Sequence, residues 1–148
     1  MHSDPKRLRE LSPATALRHL GSVPIGRIVF TAHALPAIRP VNHVLIDGDV
    51  VLRCHAGAAL LGAIGQVVAY EADAIDPDTH AGWSVIVTGK AEEVTDADER
   101  AHVEQLLDPH VDLTMVHVVR IRPELITGFE LIDVTQGTVT QGANDLIA

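Results

Sequence analysis

Short runs rich in Val, Ile, Leu and Thr recur along this chain, and turn-forming residues punctuate them. That pattern predicts strands rather than long helices. Residues 26–31, 37–46, 50–55 and 66–73 each read as a strand, and Asp47-Gly48 between the second and third is a hairpin signal. The longest is residues 83–94, opening at Gly82-Trp83-Ser84-Val85, where β-branched residues dominate and the only Trp sits at the entry. Residues 115–122 and 126–132 read as two last strands. Pro40, inside the second strand, predicts an edge position or a bulge.

Helices are few. Ser12-Pro13 is an N-cap followed by proline at the first helical position, which predicts a short helix to about residue 20 with Leu17 and Leu20 on one face. Thr95 or Asp96 caps a second helix running to about Leu107, with Ala97, Ala101, Val103 and Leu106 expected to face inward. Residues 58–64 fit one or two helical turns, and Asp76-Pro77-Asp78-Thr79 is turn chemistry. Residues 1–11 are a polar lead-in and 133–148 a weakly hydrophobic tail whose composition suits a flexible segment, so 1–148 reads as a single domain. About seven strands with short turns and few helices predict a mainly β protein, a small antiparallel barrel.

Composition narrows the classes. At 148 residues the chain can bury a proper core, and with 3% aromatics that core must be aliphatic. A net charge of −9 and the lack of a basic run argue against a nucleic-acid partner. A small phosphate-bearing ligand needs only one or two local cations, and Arg27, Arg39 and Arg53 sit among apolar strand residues. Each of them can equally be a solvated strand residue. Apolar runs are too short to span a membrane, residues 1–11 hold no apolar signal core, and the single Cys54 allows neither an internal disulfide nor a Cys-based zinc site. The cytoplasm is the expected compartment.

The dinucleotide fingerprint, the P-loop and the nucleophile elbow are all absent. Nine His residues form no H-x-x-x-H pair; His102 and His110, with Asp112 nearby, are better read as surface side chains, and no metal site is expected. His43 and His55 lie at or near strand ends beside candidate binding residues. Trp83 followed by Ser84 can offer a flat face and a hydrogen bond to a planar ligand, or Trp83 can simply fill the core.

The order of several segments resembles the flavin-binding split-barrel family, also called pyridoxamine 5'-phosphate oxidase-like, and in particular its actinobacterial flavin and deazaflavin oxidoreductases. The segments are Ile25-Gly26-Arg27-Ile28, Leu35 through Asn42, Asp49 through Cys54 with Gly57 and Leu60, Val67 through Asp73, and Gly82-Trp83-Ser84-Val85 through Gly89-Lys90-Ala91. The resemblance implies a six-stranded antiparallel split β-barrel that forms a homodimer with flavin sites at the subunit interface. It places Pro40, Val41 and Asn42 along the ring of FMN, with Arg39 beside them as a cofactor-binding cation that could compensate for a missing phosphate contact. Arg53, Cys54, Gly57 and Leu60 would hold the ribityl chain and phosphate, and Trp83 and Ser84 would reach the flavin of the partner chain. The family usually carries Gly-x-Lys-Leu in its phosphate loop, whereas this chain has Gly57-Ala58-Ala59-Leu60, so Ala59 replaces the lysine. The implied activity is an FMN-dependent oxidoreductase performing two-electron transfer on an unknown small molecule, the catalytic residues being unknown. The alternatives are a reductase using the 8-hydroxy-5-deazaflavin coenzyme, or a non-catalytic flavin- or haem-binding dimer.

Overall fold

The computed structural model describes residues 6–107 and 116–133. In chain order these form β1 (Lys6–Glu10), α1 (Pro13–Gly21), β2 (Ile25–Ala32), β3 (Leu35–Ile46), β4 (Asp49–Cys54), β5 (Val67–Ile75), β6 (Gly82–Val94), α2 (Ala97–Leu106) and β7 (His117–Asp133). A 3-10 turn at Ala59–Ala63 joins β4 to β5. The strands run β1-β7-β4-β3-β2-β5-β6, and β6 pairs back onto β7. All pairings are antiparallel, so six strands close into a barrel and β1 adds to the outside edge of β7. This is the expected split-barrel class.

Turn and cap chemistry set the boundaries. Asp47 and Gly48 both adopt positive φ, 52° and 84°, the pairing that a two-residue hairpin between twisted strands requires. Ser12 caps α1 through its hydroxyl on Thr15 N–H, and Asp96 caps α2 on Glu99 N–H. Ahead of Val67, Ala63 O and Ala91 O accept bonds from Gln66 and Gly65 and tie the 3-10 turn to β6.

Two cores result. Ile28, Leu52, Tyr70, Val85, Val87 and Ile121 belong to the barrel interior, closed at one end by Leu11, Ala16 and Leu20 of the α1 region. A smaller core outside the barrel joins Val51, Val94 and Val118 to Val103 and Leu107 of the α2 segment. The expected inward face of this helix is therefore corrected. Val103 is buried, but Ala97, Ala101 and Leu106 are exposed, because α2 lies on the outside of the barrel and touches it with a single narrow edge.

Two further expectations change. The last two strands are one: β7 runs unbroken through Pro123, which a bulge accommodates where Thr88 faces Leu125 but Gly89 faces Pro123. Only glycine fits at 89, since a Cβ there would lie 1.9 Å from Arg122 O. The polar lead-in contains β1, whose charged Arg7, Arg9 and Glu10 suit an edge strand and gave no alternating hydrophobic signal. His110, Asp112 and the tail beyond 133 lie outside the described residues. Among the described residues no helix is long and apolar enough to cross a membrane, and no group of three or more metal-ligating side chains converges.

Candidate functional site

β3 leaves the barrel open on one side. Over residues 35–42 it pairs with β2, and over 43–46 with β4. Ahead of His43 the second edge of β3 has no strand neighbour among the described residues. Pro40, which lacks an N–H, stands in this half-paired stretch, as its chemistry demands. The gap holds a cavity of about 170 Å³. Arg39, Pro40 and Val41 form one wall, Arg53, Cys54 and His55 the second, and Ala58, Ala59 and Leu60 the third, with Ile28 at the floor.

Six of the ten residues implied by the resemblance therefore meet in one place: Arg39, Pro40, Val41, Arg53, Cys54 and Leu60. Asn42, Gly57, Trp83 and Ser84 do not line this cavity. Asn42 lies one position beyond the cavity wall, paired with Ile25 of β2 at the end of the half-paired stretch. Gly57 sits in the turn that Ala58 N–H closes on His55 O. Trp83 and Ser84 point to opposite faces of β6. Trp83 belongs to the interior core, stacks on His19 with ring centroids 4.9 Å apart, and floors a separate wide groove with Ser22, Asp76 and Thr79. Ser84 takes the outward position opposite Asp73 and Phe129.

Two arginines and no carboxylate line this cavity. The chain carries 20 acidic residues against 11 Lys and Arg, yet no carboxylate lines the cavity. Arg9, Arg27, Arg120 and Arg122 are all ion-paired to Glu or Asp. Arg39 and Arg53 have no carboxylate partner among the described residues. Arg39 donates to Ile38 O, and the buried Nε of Arg53 has no hydrogen-bond partner among the described residues, as is also true of Arg120 Nε. A buried guanidinium N–H without an acceptor is costly. Cys54 contributes a neutral, apolar surface: burial, with help from the Glu93 charge, pushes its thiol up to about 11.

The sequence singled out two histidines, and the fold divides them. His55 lines the cavity and is exposed. His43 is buried and committed to structure. Its Nε2–H donates to Leu20 O at 2.8 Å, and its Nδ1 lies 2.5 Å from Tyr70 O–H, which also reaches Val41 O at 3.2 Å. Burial lowers the His43 pKa and so favours the neutral ring, which makes Nδ1 the acceptor of the Tyr70 proton. Ile28, Ala58 and Ala59 complete the lining; Ala59 is the loop position already singled out by the resemblance, while the side chains of Ile28 and Ala58 carry no chemistry that marks them.

A second charged cluster stands on the outer face of β2 and β5. Arg27 pairs with Glu71 at 3.0 Å and Asp73 at 3.7 Å. Partial burial, then the neighbouring Asp73, push the Glu71 carboxyl up to about 7, against the opposing pull of Arg27. Arg27 is thereby engaged by carboxylates rather than free for a phosphate.

A six-stranded split barrel with an arginine-lined cavity in its gap defines a class, and comparison with known proteins agrees with it. The pyridoxamine 5'-phosphate oxidase family profile matches residues 12–130, and the chain belongs to that family. The uncharacterized protein Rv0080 of Mycobacterium tuberculosis is 48% identical over 129 residues, covering 83% of this chain and 85% of its own length. Among solved structures, the FAD binding protein from Mycobacterium smegmatis is 34% identical with a TM-score of 0.66, covering 84% of this chain and 98% of that one. A FAD-binding protein from Mesorhizobium loti shares the fold, at a TM-score of 0.73 over 86% of this chain and 99% of that one, with 22% identity. The fold is thus the flavin-binding split barrel.

Proposed function

We propose that this protein is a cytoplasmic, homodimeric flavin-dependent oxidoreductase acting on a small molecule, with FMN as the cofactor. The observation that carries the reading is the pair of cations without carboxylate partners, Arg39 and Arg53, in a carboxylate-free cavity beside the Gly57–Leu60 loop. These residues fit a phosphate, and Val41, Cys54 and Leu60 offer an apolar wall for the chain that carries it. When bound, the flavin supplies the two-electron chemistry itself. The protein's part is to hold the phosphate, orient the ring and keep water out.

The size of the cavity supports the dimer. About 170 Å³ is below the 300–1,000 Å³ that small-molecule sites ordinarily occupy, so one chain encloses only part of such a ligand. The outward face of β3, β6 and β7 leaves Ile38, Ile86, Leu125 and Phe129 between 40% and 59% exposed, an apolar surface that a second copy would cover. Sedimentation at micromolar concentration should give about twice the 15.8 kDa chain mass; a purely monomeric species ends the dimer reading.

Titration with riboflavin, FMN and FAD, followed by flavin fluorescence and by the single Trp83, tests the cofactor. FMN binding tighter than riboflavin supports the reading. Absence of binding by all three at about 100 μM, a weak affinity on the scale of specific sites, refutes it. The second reading, a deazaflavin coenzyme in place of FMN, is favoured by one observation: Ala59 lacks the cation that the family's loop places near the phosphate. A longer, more highly charged tail would then draw on Arg39 and Arg53 together.

A further inference from the structure

His55 is the one protonatable cavity residue that the proposed cofactor reading leaves without a role. It follows Cys54 at the end of β4, and its carbonyl accepts from Ala58 N–H, fixing a tight turn. The imidazole lies beside Gly57: a Cβ placed there would be 3.7 Å from His55 Nδ1. That is ordinary van der Waals distance, so the ring lies against the loop at the cavity's edge. No hydrogen bond holds His55's ring among the described residues, and it is exposed, so it can turn toward a ligand. The charged or titratable groups sharing the cavity with it are Arg39 on β3 and Arg53 and Cys54 on β4, with none on the Ala58–Leu60 wall. Glu93 on β6, the nearest acid acting on Cys54, is held by His117 Nδ1 at 2.7 Å. Three nitrogen-bearing side chains thus converge where no carboxylate competes for them.

We propose that His55, with Arg39 and Arg53, forms the phosphate clamp of this protein, with a switchable imidazole doing what a permanently charged lysine at position 59 would do. The ligand class is a phosphate monoester or diphosphate on an aromatic carrier, and the inference rests on the flavin reading above. Neutral His55 offers one N–H to a phosphate oxygen; protonated, it offers two and a full charge. The grip should therefore strengthen as pH falls, opposed in part by protonation of the phosphate itself near pH 6.

The test compares wild type, His55→Gln and His55→Lys, titrated with FMN and with riboflavin at about pH 6 and about pH 8. His55→Gln keeps a polar N–H but cannot charge. It should bind FMN roughly 3- to 10-fold more weakly than wild type at the lower pH and nearly as well at the higher. His55→Lys should bind FMN more tightly than wild type at the higher pH, and the contrast between the two pH values should largely vanish. Riboflavin affinity should not separate the three proteins. Equal FMN affinity of wild type and His55→Gln at both pH values, with riboflavin and FMN both bound, overturns the clamp and leaves the flavin reading standing. If neither flavin binds, that reading fails, and inorganic phosphate decides the anion site by itself. Shifts of the His55 ring signals in NMR, lost in Arg53→Ala, would sustain a phosphate site; unmoved signals would overturn it.

Discussion

Replacing Ala59 by Lys tests the geometry of the cavity most directly. Ala59 is the first residue of the 3-10 turn, exposed, and on the cavity wall opposite Arg39 and Arg53. A lysine there keeps the backbone unchanged and sends a flexible ammonium over the cavity mouth. One charge-assisted contact to a phosphate contributes about 1.5–3 kcal/mol before its costs. Ordering the side chain removes up to roughly 1.5–2 kcal/mol of rotamer freedom, although a part-exposed lysine loses only a share of it. Repulsion from two resident arginines further opposes the empty state, so bound phosphate gains the relief of that repulsion as well. The net gain is about 1–2 kcal/mol, or a 5- to 30-fold tighter FMN complex. Riboflavin, with no phosphate, should bind Ala59→Lys and wild type alike. Flavin fluorescence titrations at about 50 mM and 500 mM salt should show the gain shrinking as screening shortens from roughly 14 to 4 Å. Equal effects on FMN and riboflavin would mean that position 59 does not face the phosphate, and the assignment of the loop would be wrong.

Three further outcomes follow from the same structure. Arg53→Ala should weaken FMN by about tenfold or more, since it removes a guanidinium whose buried Nε has no other acceptor; unchanged affinity would remove Arg53 from the site. Tyr70→Phe strips the proton donor from His43 Nδ1 in a closed interior, and denaturant unfolding should show a loss of about 1–3 kcal/mol; a neutral result would mean that the network is dispensable. Glu71 has a folded-state pKa of about 7 against an ordinary value of 4.5, so the native state holds the proton longer than the unfolded chain does. Thermal stability should then decline as pH rises through that interval, and Glu71→Gln should flatten the decline; an identical pH profile in the variant would contradict the shift.

Much of the architecture is written locally. Asp47-Gly48, Ser12-Pro13 and Asp96 each specify their turn or cap through their own backbone preferences, and each is found where the sequence puts it. What the sequence hides depends on partners far along the chain. β1 is a strand because residues 129–133 offer it an edge, not because Lys6–Glu10 alternates. The continuity of β7 through Pro123 depends on Gly89 across the sheet, and a lone proline reads as a break. α2 was expected to present four residues to a core, but packing on the convex side of a barrel needs fewer.

The candidate site divides along the same line. Strand position brought Arg39, Val41, Arg53 and Cys54 to one gap, yet only the topology creates that gap, by ending the β3–β4 pairing at His43. Adjacent in sequence, Trp83 and Ser84 occupy opposite faces, so the pair cannot present both side chains to one side of β6.

β7 touches β1, β4 and β6, and its partners in β1 lie more than a hundred positions earlier. During synthesis, the hairpins β2–β3, β3–β4 and β5–β6 can form as they emerge, but the cylinder cannot shut until residues near 130 have left the ribosome. Until then the edges of β4 and β6, and all of β1, wait unpaired for the same late segment. At typical elongation rates of about 5–20 residues per second, that wait lasts seconds, during which the open sheet is the species that a chaperone or a second nascent chain would encounter.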